Sequence, residues 1–291
     1  MPEGKNVRYA LGEKGAWLGI VSNVALFGFK MAAGVAGRSQ AMVADALHTA
    51  GDVLTSVAVL FGFKLAKQPP DEHHPFGHGR AESIMAKLAS VALIAMGIGV
   101  ALRSVRLIVL SEASVPGSIA LFAALVSIAV KSVVYRKVIR TARKVRSSSL
   151  ETDAYHHRSD VLSSVAAVFG IAGARMGWPY LDPMAGIIVA GFIVKAGAEA
   201  FHRAYDELMD AALSVETRAD IISAALVVEG VREVTSVMSR KAGIEMFLEI
   251  IIKVDGAKTV AEGHEITVRV ERSIKGSIEG VSGVVVHAEP Y

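Results

Sequence analysis

The stretch ADALHTAGD, residues 44–52, lies inside an apolar run and yet carries Asp45, His48 and Asp52. A second stretch, ETDAYHHRSD at residues 151–160, opens another apolar run and repeats the arrangement with Asp153, His156 and Asp160. On a helix, residues four apart share a face, so His48 with Asp52, and His156 with Asp160, each present an imidazole beside a carboxylate. The aspartate three residues earlier, Asp45 or Asp153, lies on the same stripe. Two such helices packed together offer two imidazoles and two carboxylates to one point, the ligand set and count of a tetrahedral zinc-type site. A polar patch bonded to a neighbouring helix would account for one pair. Recurrence of the spacing in two apolar runs points to a metal or proton site, because an ionisable group near mid-membrane costs about 2.5–3.5 kcal/mol and is kept for function. His157 points about 100° away from His156 and is expected either to support the ligands from behind or to lie at an interface.

The elements that must position these residues are read from hydropathy. The chain has 291 residues, 52% of them hydrophobic and 20% charged, with mean hydropathy +0.45. That composition describes a polytopic membrane protein with a soluble part. Six apolar runs are long enough to be spans: about 17–36, 42–66, 84–110, 119–135, 150–176 and 184–200. The linker after the fourth holds Arg136, Lys137, Arg140, Arg143, Lys144 and Arg146, whereas SEASVPGS between the third and fourth has no basic residue. By the positive-inside tendency that linker, both termini and the second-to-third loop face the cytoplasm. The polar start, MPEGKNVRYALGEKG, predicts no secretory leader. The absence of cysteine removes thiolate metal sites, cysteine nucleophiles and disulfides, and a net charge of +3 gives no sign of a nucleic-acid partner.

After about Phe201 the pattern changes to helix, two strands around a turn at KAG, helix and closing strand. The expected organisation is a six-helix transmembrane domain at 1–205 and a cytoplasmic α-β-β-α-β domain at 206–291, a small α+β sheet of ferredoxin-like kind with helices on one face. Two features need bland readings. HEITV at 264–268 has Val268 where the zinc-protease motif requires a second histidine. Lys30 and Lys131, inside spans, are expected to be paired or snorkelling residues.

The motifs SQAMVADALHTAGDVLTS, HHPFGHGRAES and YHHRSDVLSS, with six spans and the α-β-β-α-β tail, resemble the cation diffusion facilitator family, including its magnetosome-associated branch. The resemblance covers nearly the whole chain. It implies a homodimer in the lipid bilayer, of the cell inner membrane or a magnetosome-type membrane. Each protomer would carry a transport site of His48, Asp52, His156 and Asp160, with Asp45 nearby, and export divalent metal in exchange for protons. A His/Asp pair facing another resembles the zinc-preferring members, so Zn2+ is the expected ion and Fe2+ its competitor. The resemblance further implies a loop metal site of Asp71, His74 and His78, with His73 off the matching position. In the C-terminal domain His264, His287 and Glu289 fall on ligand-like positions, and Thr235 and Ile251 stand where the best-known zinc pattern has histidine, which would rebuild that site around Glu249. Arg80 and Asp210 fall on the positions of a charge interlock at the dimer's cytoplasmic waist.

No covalent chemistry is expected, since no nucleophile–base pair is visible, and the chain is therefore not read as an enzyme. The competing reading is a membrane-anchored metal sensor or scaffold that does not transport. The intramembrane ligands argue against it, because a scaffold has no need of them.

Overall fold

The structure, a computed structural model, describes the backbone of residues 3–145 and 148–291 and the side chains of residues 20–136, 139–140 and 161–291. Long helices come first: α1 (Glu3–Ala36), α2 (Gln40–Ala66), α3 (Ala81–Val109), α4 (Ser118–Val145), α5 (Ser148–Arg175) and α6 (Leu181–Leu208). The C-terminal elements are α7 (Val215–Leu226), β1 (Glu233–Ala242), β2 (Glu245–Val254), α8 (Val260–Ser277) and β3 (Val281–Pro290), in the α-β-β-α-β order read from the sequence. Four helical stretches, Gln40–Ala66, Ala81–Val109, Ser118–Arg136 and Leu181–Leu208, are long and apolar enough to cross a membrane. The stretches Ile20–Ala36 and Val161–Arg175 are apolar but shorter in their described part.

Four of the long helices end in the same way. Ser39 N–H donates to Gly34 O (2.9 Å), Glu112 to Leu107 O (3.0 Å), Trp178 to Gly173 O (3.2 Å) and Ala211 to Asp206 O (2.9 Å). Each bond spans five residues, and the residue just before each donor, Arg38, Ser111, Gly177 or Asp210, has positive φ. This is the Schellman ending, which satisfies carbonyls that the helix leaves orphaned. Its left-handed residue is a glycine only once here.

The chain divides into two compact units, Met1–Val57 with Ala89–Glu199, and Ala58–Leu88 with Ala200–Tyr291. In the first, apolar side chains such as Val21, Leu102, Phe122, Phe169 and Ile188 are exposed, while Lys30, Asp45, Lys131 and Ser164 are buried. This inversion of the soluble pattern is what a lipid surround requires. Small residues line the helix interfaces: Ala33, Ala41, Ala120, Ala123, Ala124, Ala167 and Ala185 form one buried cluster, and small side chains let helix backbones approach closely. At Gly170 on α5 a Cβ would stand 2.3 Å from that of Ala185 on α6, so any side chain there would force the two helices apart.

The second unit contains a three-stranded sheet in the order β1-β2-β3, with β1–β2 antiparallel and β2–β3 parallel. A hairpin at Gly243 (φ +63°) suffices for the first pairing, whereas the parallel pairing needs the α8 crossover. Alternation along β2 buries Leu248, Ile250, Ile252 and Val254 against Ile221 of α7 and Ile266, Val270 and Ile274 of α8. Each fully buried Ile or Leu contributes about 1.5–3 kcal/mol. A capping box starts α8: the Thr259 hydroxyl accepts the Glu262 N–H (3.3 Å), and the Glu262 carboxylate accepts the Thr259 N–H (2.8 Å). That N–H is the main reason the Glu262 carboxyl sits below the usual range.

Candidate metal centre

The first turn of α2 is fixed from α6. Asp182 accepts the Ser39 hydroxyl and the Gln40 N–H, both at 2.6 Å, and the Ser39 hydroxyl accepts Met42 N–H at 3.1 Å. Five residues past Gln40, Asp45 is fully buried, and His48 is 8% exposed. The Asp45 carboxylate is held on both oxygens. Lys30 Nζ of α1 lies 2.7 Å from Oδ2, Ser163 of α5 donates to Oδ1 (2.8 Å) and Ser164 donates to Oδ2 (2.9 Å). Lys30 also donates to Thr49 Oγ1 (3.1 Å) and Ser164 Oγ (3.4 Å), and Ser127 of α4 meets Ser164 at 3.2 Å. One buried ion pair thus joins α1, α2 and α5, with α4 attached through a hydroxyl. Removing one member of such a pair leaves an uncompensated charge and costs about 3–5 kcal/mol.

Of the expected transport ligands, His48 and Asp52 lie on α2 at helical spacing, one and two turns beyond Asp45. The side chains of His156 and Asp160, like those of Asp153 and His157, lie outside the described residues. The expected pairing of Lys30 takes the form of the Asp45 contact. Nothing in the sequence tied residue 30 to residue 45 in particular.

Between α2 and α3 the loop folds on its own acid. Asp71 Oδ1 accepts the backbone N–H of His73 (2.9 Å) and His74 (2.6 Å), an Asx turn, closed further by Gly77 N–H to His74 O (2.9 Å). The His74 N–H, foremost among these, holds the Asp71 carboxyl below the usual carboxylate range. His74 Nδ1 then stands 3.2 Å from Asp71 Oδ1 and His78 Nε2 3.4 Å from Oδ2. One ligand atom from each of Asp71, His74 and His78 lies within 4.8 Å of the others. Two imidazoles and a carboxylate with a side open to solvent can take a divalent cation and leave a position for water or a fourth ligand. His73 is not part of the group. The loop is pinned to the β1–β2 hairpin: a Cβ on Gly79 would meet Ala242 O at 2.6 Å, so only glycine allows that approach. Glu207 Oε1 accepts the Gly243 N–H (2.6 Å) from the same hairpin.

Arg80 donates to Asp210, the left-handed residue that ends α6. Sequence reasoning missed a second arginine: Arg240 of β1 has Nη1 3.9 Å from Asp210 Oδ2. Its guanidinium also lies 5.0 Å from the Phe76 ring centroid and 5.5 Å from that of Phe247. Phe76 lies between His74 and His78 in the loop and Phe247 is on β2, so this guanidinium gathers loop, helix end and sheet. The signal available in sequence was the FGHG aromatic together with a basic strand residue, which is too common to single out.

In the sheet, Glu249, His287 and Glu289 lie on the face opposite the buried Leu248 and Ile250. Register sets Glu249 beside Val285, His287 beside Ile251 and Glu289 beside Lys253. His287 Nε2 is 3.9 Å from Glu289 Oε1 and both side chains are exposed. His264, on α8, lines a cavity of about 420 Å3 with Glu289, Asp255 and Thr267. Among the described residues, Glu249, His264, His287 and Glu289 do not converge to ligand distance as the loop group does.

Comparison with known proteins gives matches along most of the chain. The profile described as "Cation efflux transmembrane domain" matches residues 16–209, and "Cation efflux protein, cytoplasmic domain" matches residues 213–291. "Manganese efflux system protein MneP" of Bacillus subtilis (strain 168) is 32% identical, over 98% of each chain. "Magnetosome protein MamM" of Magnetospirillum gryphiswaldense (strain DSM 6361 / JCM 21280 / NBRC 15271 / MSR-1) is 33% identical, over 94% of this chain and 86% of that one. A solved structure of MamM-CTD is 33% identical over 26% of this chain and 95% of that one, with TM-score 0.26. With apolar helices that bury charge, an acid–imidazole pair on α2 and this family match over more than half its length, the chain belongs to the cation efflux (cation diffusion facilitator) family and is a multi-pass divalent metal cation efflux transporter.

Proposed function

We propose that the chain exports Zn2+ in exchange for protons, as a homodimer of protomers with six spans and both termini in the cytoplasm. Residues 1–205 form the transport domain and 206–291 the cytoplasmic one. His48 and Asp52 on α2, with His156 and Asp160 on α5, bind the ion. The observation that carries this reading is the contact of Asp45 with Ser163 and Ser164, which sets α2 against α5. In a six-span chain the second and fifth helices run in opposite directions. One turn along each from that contact come His48 and Asp160, and after two turns come Asp52 and His156. The two pairs are then level, and their four ligands can meet.

Exchange follows from the ligands. Metal needs neutral imidazole and ionised carboxylate, so protons and metal compete for one site. Open to neutral cytoplasm the site takes metal, and open to a more acidic outside it takes protons. The two imidazoles favour zinc over manganese in the affinity order of divalent ions, with Fe2+ between them. The similarity to a manganese efflux protein supports manganese as the second reading. The test is flux into vesicles of purified protein with Zn2+, Fe2+, Mn2+ and Cd2+ side by side. Zinc should move fastest and should stop when the pH gradient is collapsed. Manganese moving faster than zinc would overturn the zinc assignment, and flux indifferent to the gradient would overturn antiport.

The loop group Asp71, His74 and His78 is a second, cytoplasm-facing metal site, and Glu249, His264, His287 and Glu289 contribute to metal response in the C-terminal domain. The loop site has a defined pH behaviour. A carboxyl held below its usual range stays ionised as pH falls through that range, and its contribution to loop order is lost only below it. Asp71 therefore does not limit binding in mild acid. Loop occupancy, followed by zinc titration of the Asp52→Ala protein, should fall on acidification from neutral pH to about pH 5.5, because protons compete with metal for the ligand atoms. Asp71→Asn should weaken it at every pH. Occupancy that survives at pH 5.5, or an Asp71→Asn protein that binds normally, would remove the loop from the metal sites.

A further inference from the structure

Resting on the transport site proposed above, we infer that Lys30 is a specificity-determining positioning residue: it holds the Asp45 carboxylate out of the metal's ligand set, and so keeps the site selective for zinc and able to release it. Asp45 lies three residues before His48, on the same stripe of α2 as His48 and Asp52. By position and chemistry it is an available fifth ligand. In the structure its Oδ2 faces Lys30 Nζ at 2.7 Å and accepts from Ser164 at 2.9 Å, while Oδ1 accepts from Ser163 at 2.8 Å. Lys30 is held in turn by Thr49, one residue past His48. Both charged groups are fully buried, so neither is solvated in place of these bonds.

Release of this tether has a definite chemical result. A freed carboxylate can swing toward a cation bound beside His48, adding a hard oxygen donor and a negative charge to a site of two imidazoles and two carboxylates. Added oxygen ligands and raised coordination number favour Mn2+ over tetrahedral zinc, and added negative charge tightens binding of any divalent ion. Tighter binding slows release. Loss of the lysine is therefore expected to lower KM and kcat together, which a merely structural role would not do.

The experiment measures flux of Zn2+ and Mn2+ in vesicles, and binding of each metal by calorimetry, for Lys30→Met, Ser164→Ala and the double variant Lys30→Met/Asp45→Leu. Lys30→Met should lower the manganese KM about tenfold and kcat by a similar factor, and shift the zinc-to-manganese preference in binding, read by calorimetry, toward manganese. Ser164→Ala removes a hydroxyl rather than a charge, keeps the fold, and should shift preference the same way by about twofold. The double variant, which has neither charge, should return KM and preference toward the wild-type values. Unchanged preference in Ser164→Ala, or in a folded Lys30→Met protein, would overturn the inference. So would a double variant with a greatly raised KM, which would make Asp45 itself a ligand. Asp52→Ala separates the two levels of the argument: if it moves metal normally the transport site is misassigned, whereas if it loses flux while the Lys30 and Ser164 variants keep wild-type preference, the tether alone fails.

Discussion

Alanine at His48, Asp52, His156 or Asp160 is expected to reduce metal flux by about a hundredfold or more while leaving a folded protein. Changing a partner that merely orients a metal ligand costs about 10–100-fold, so removal of the ligand should cost at least that. The fold should survive because Lys30, Asp45, Ser163 and Ser164, which make the contact joining α1, α2 and α5, are all kept. Asp45→Ala supplies the contrast. It strands Lys30, which is 0% exposed, and should destabilise the protein by about 3–5 kcal/mol. Thermal unfolding and vesicle flux measured on the same preparations separate these outcomes. Two of the four ligand variants moving metal at near-normal rates would show the site to be elsewhere, and an Asp45→Ala protein as stable as the wild type would show that the buried pair does not hold the helices.

The helices were legible because apolar length is a direct physical requirement. The run from Met42 to Ala66 reads as a helix whatever surrounds it, and α2 occupies Gln40–Ala66. Helix ends were less so: α4 continues to Val145, ten residues past the apolar run, because basic residues are good helix formers and the period persists. The order of the C-terminal elements was legible from alternation on β2 and the 3.6 period of α8. What the sequence left open were pairings over long separations. Lys30 was expected to be paired or snorkelling, and only the packed helices choose Asp45 over the lipid interface. The loop group depended on resemblance for its membership, since a run with three histidines does not say which of them meet. The Asx turn at Asp71 selects His74 and His78 and leaves out His73. In the sheet, sequence placed His287 and Glu289 on one face, but the neighbour of each followed only from the parallel register.

The second large effect concerns Asp210, where the added arginine changes the expected result of charge reversal. Arg80 and Asp210 are 41% and 46% exposed on their side chains, so deleting the pair should cost only about 0–1 kcal/mol. Arg240 lies on the same carboxylate and is kept there by two aromatic rings, interactions of about 0.5–1 kcal/mol each at exposed sites. Asp210→Arg therefore sets a third guanidinium beside that of Arg80 and beside that of Arg240, which the two rings hold in place. Like charges at such distances repel by about 1–4 kcal/mol over the range of effective dielectric from water to protein surface. Reversal should thus be several times more damaging than neutralisation: Asp210→Asn should retain most transport, and Asp210→Arg should lose about tenfold. Adding Arg80→Asp restores one attractive contact but leaves Arg240 facing the new arginine, so the double variant should recover only part. Adding Arg240→Gln as well should recover more, at some cost in packing against Phe76 and Phe247. Flux and dimer fraction, measured across the series at low and high salt, check this order, because screening should narrow the gap between Asp210→Arg and wild type. An Asp210→Arg protein with normal flux, or a double variant no better than the single, would leave Arg80 as a positive-inside signal and take the interlock out of the mechanism.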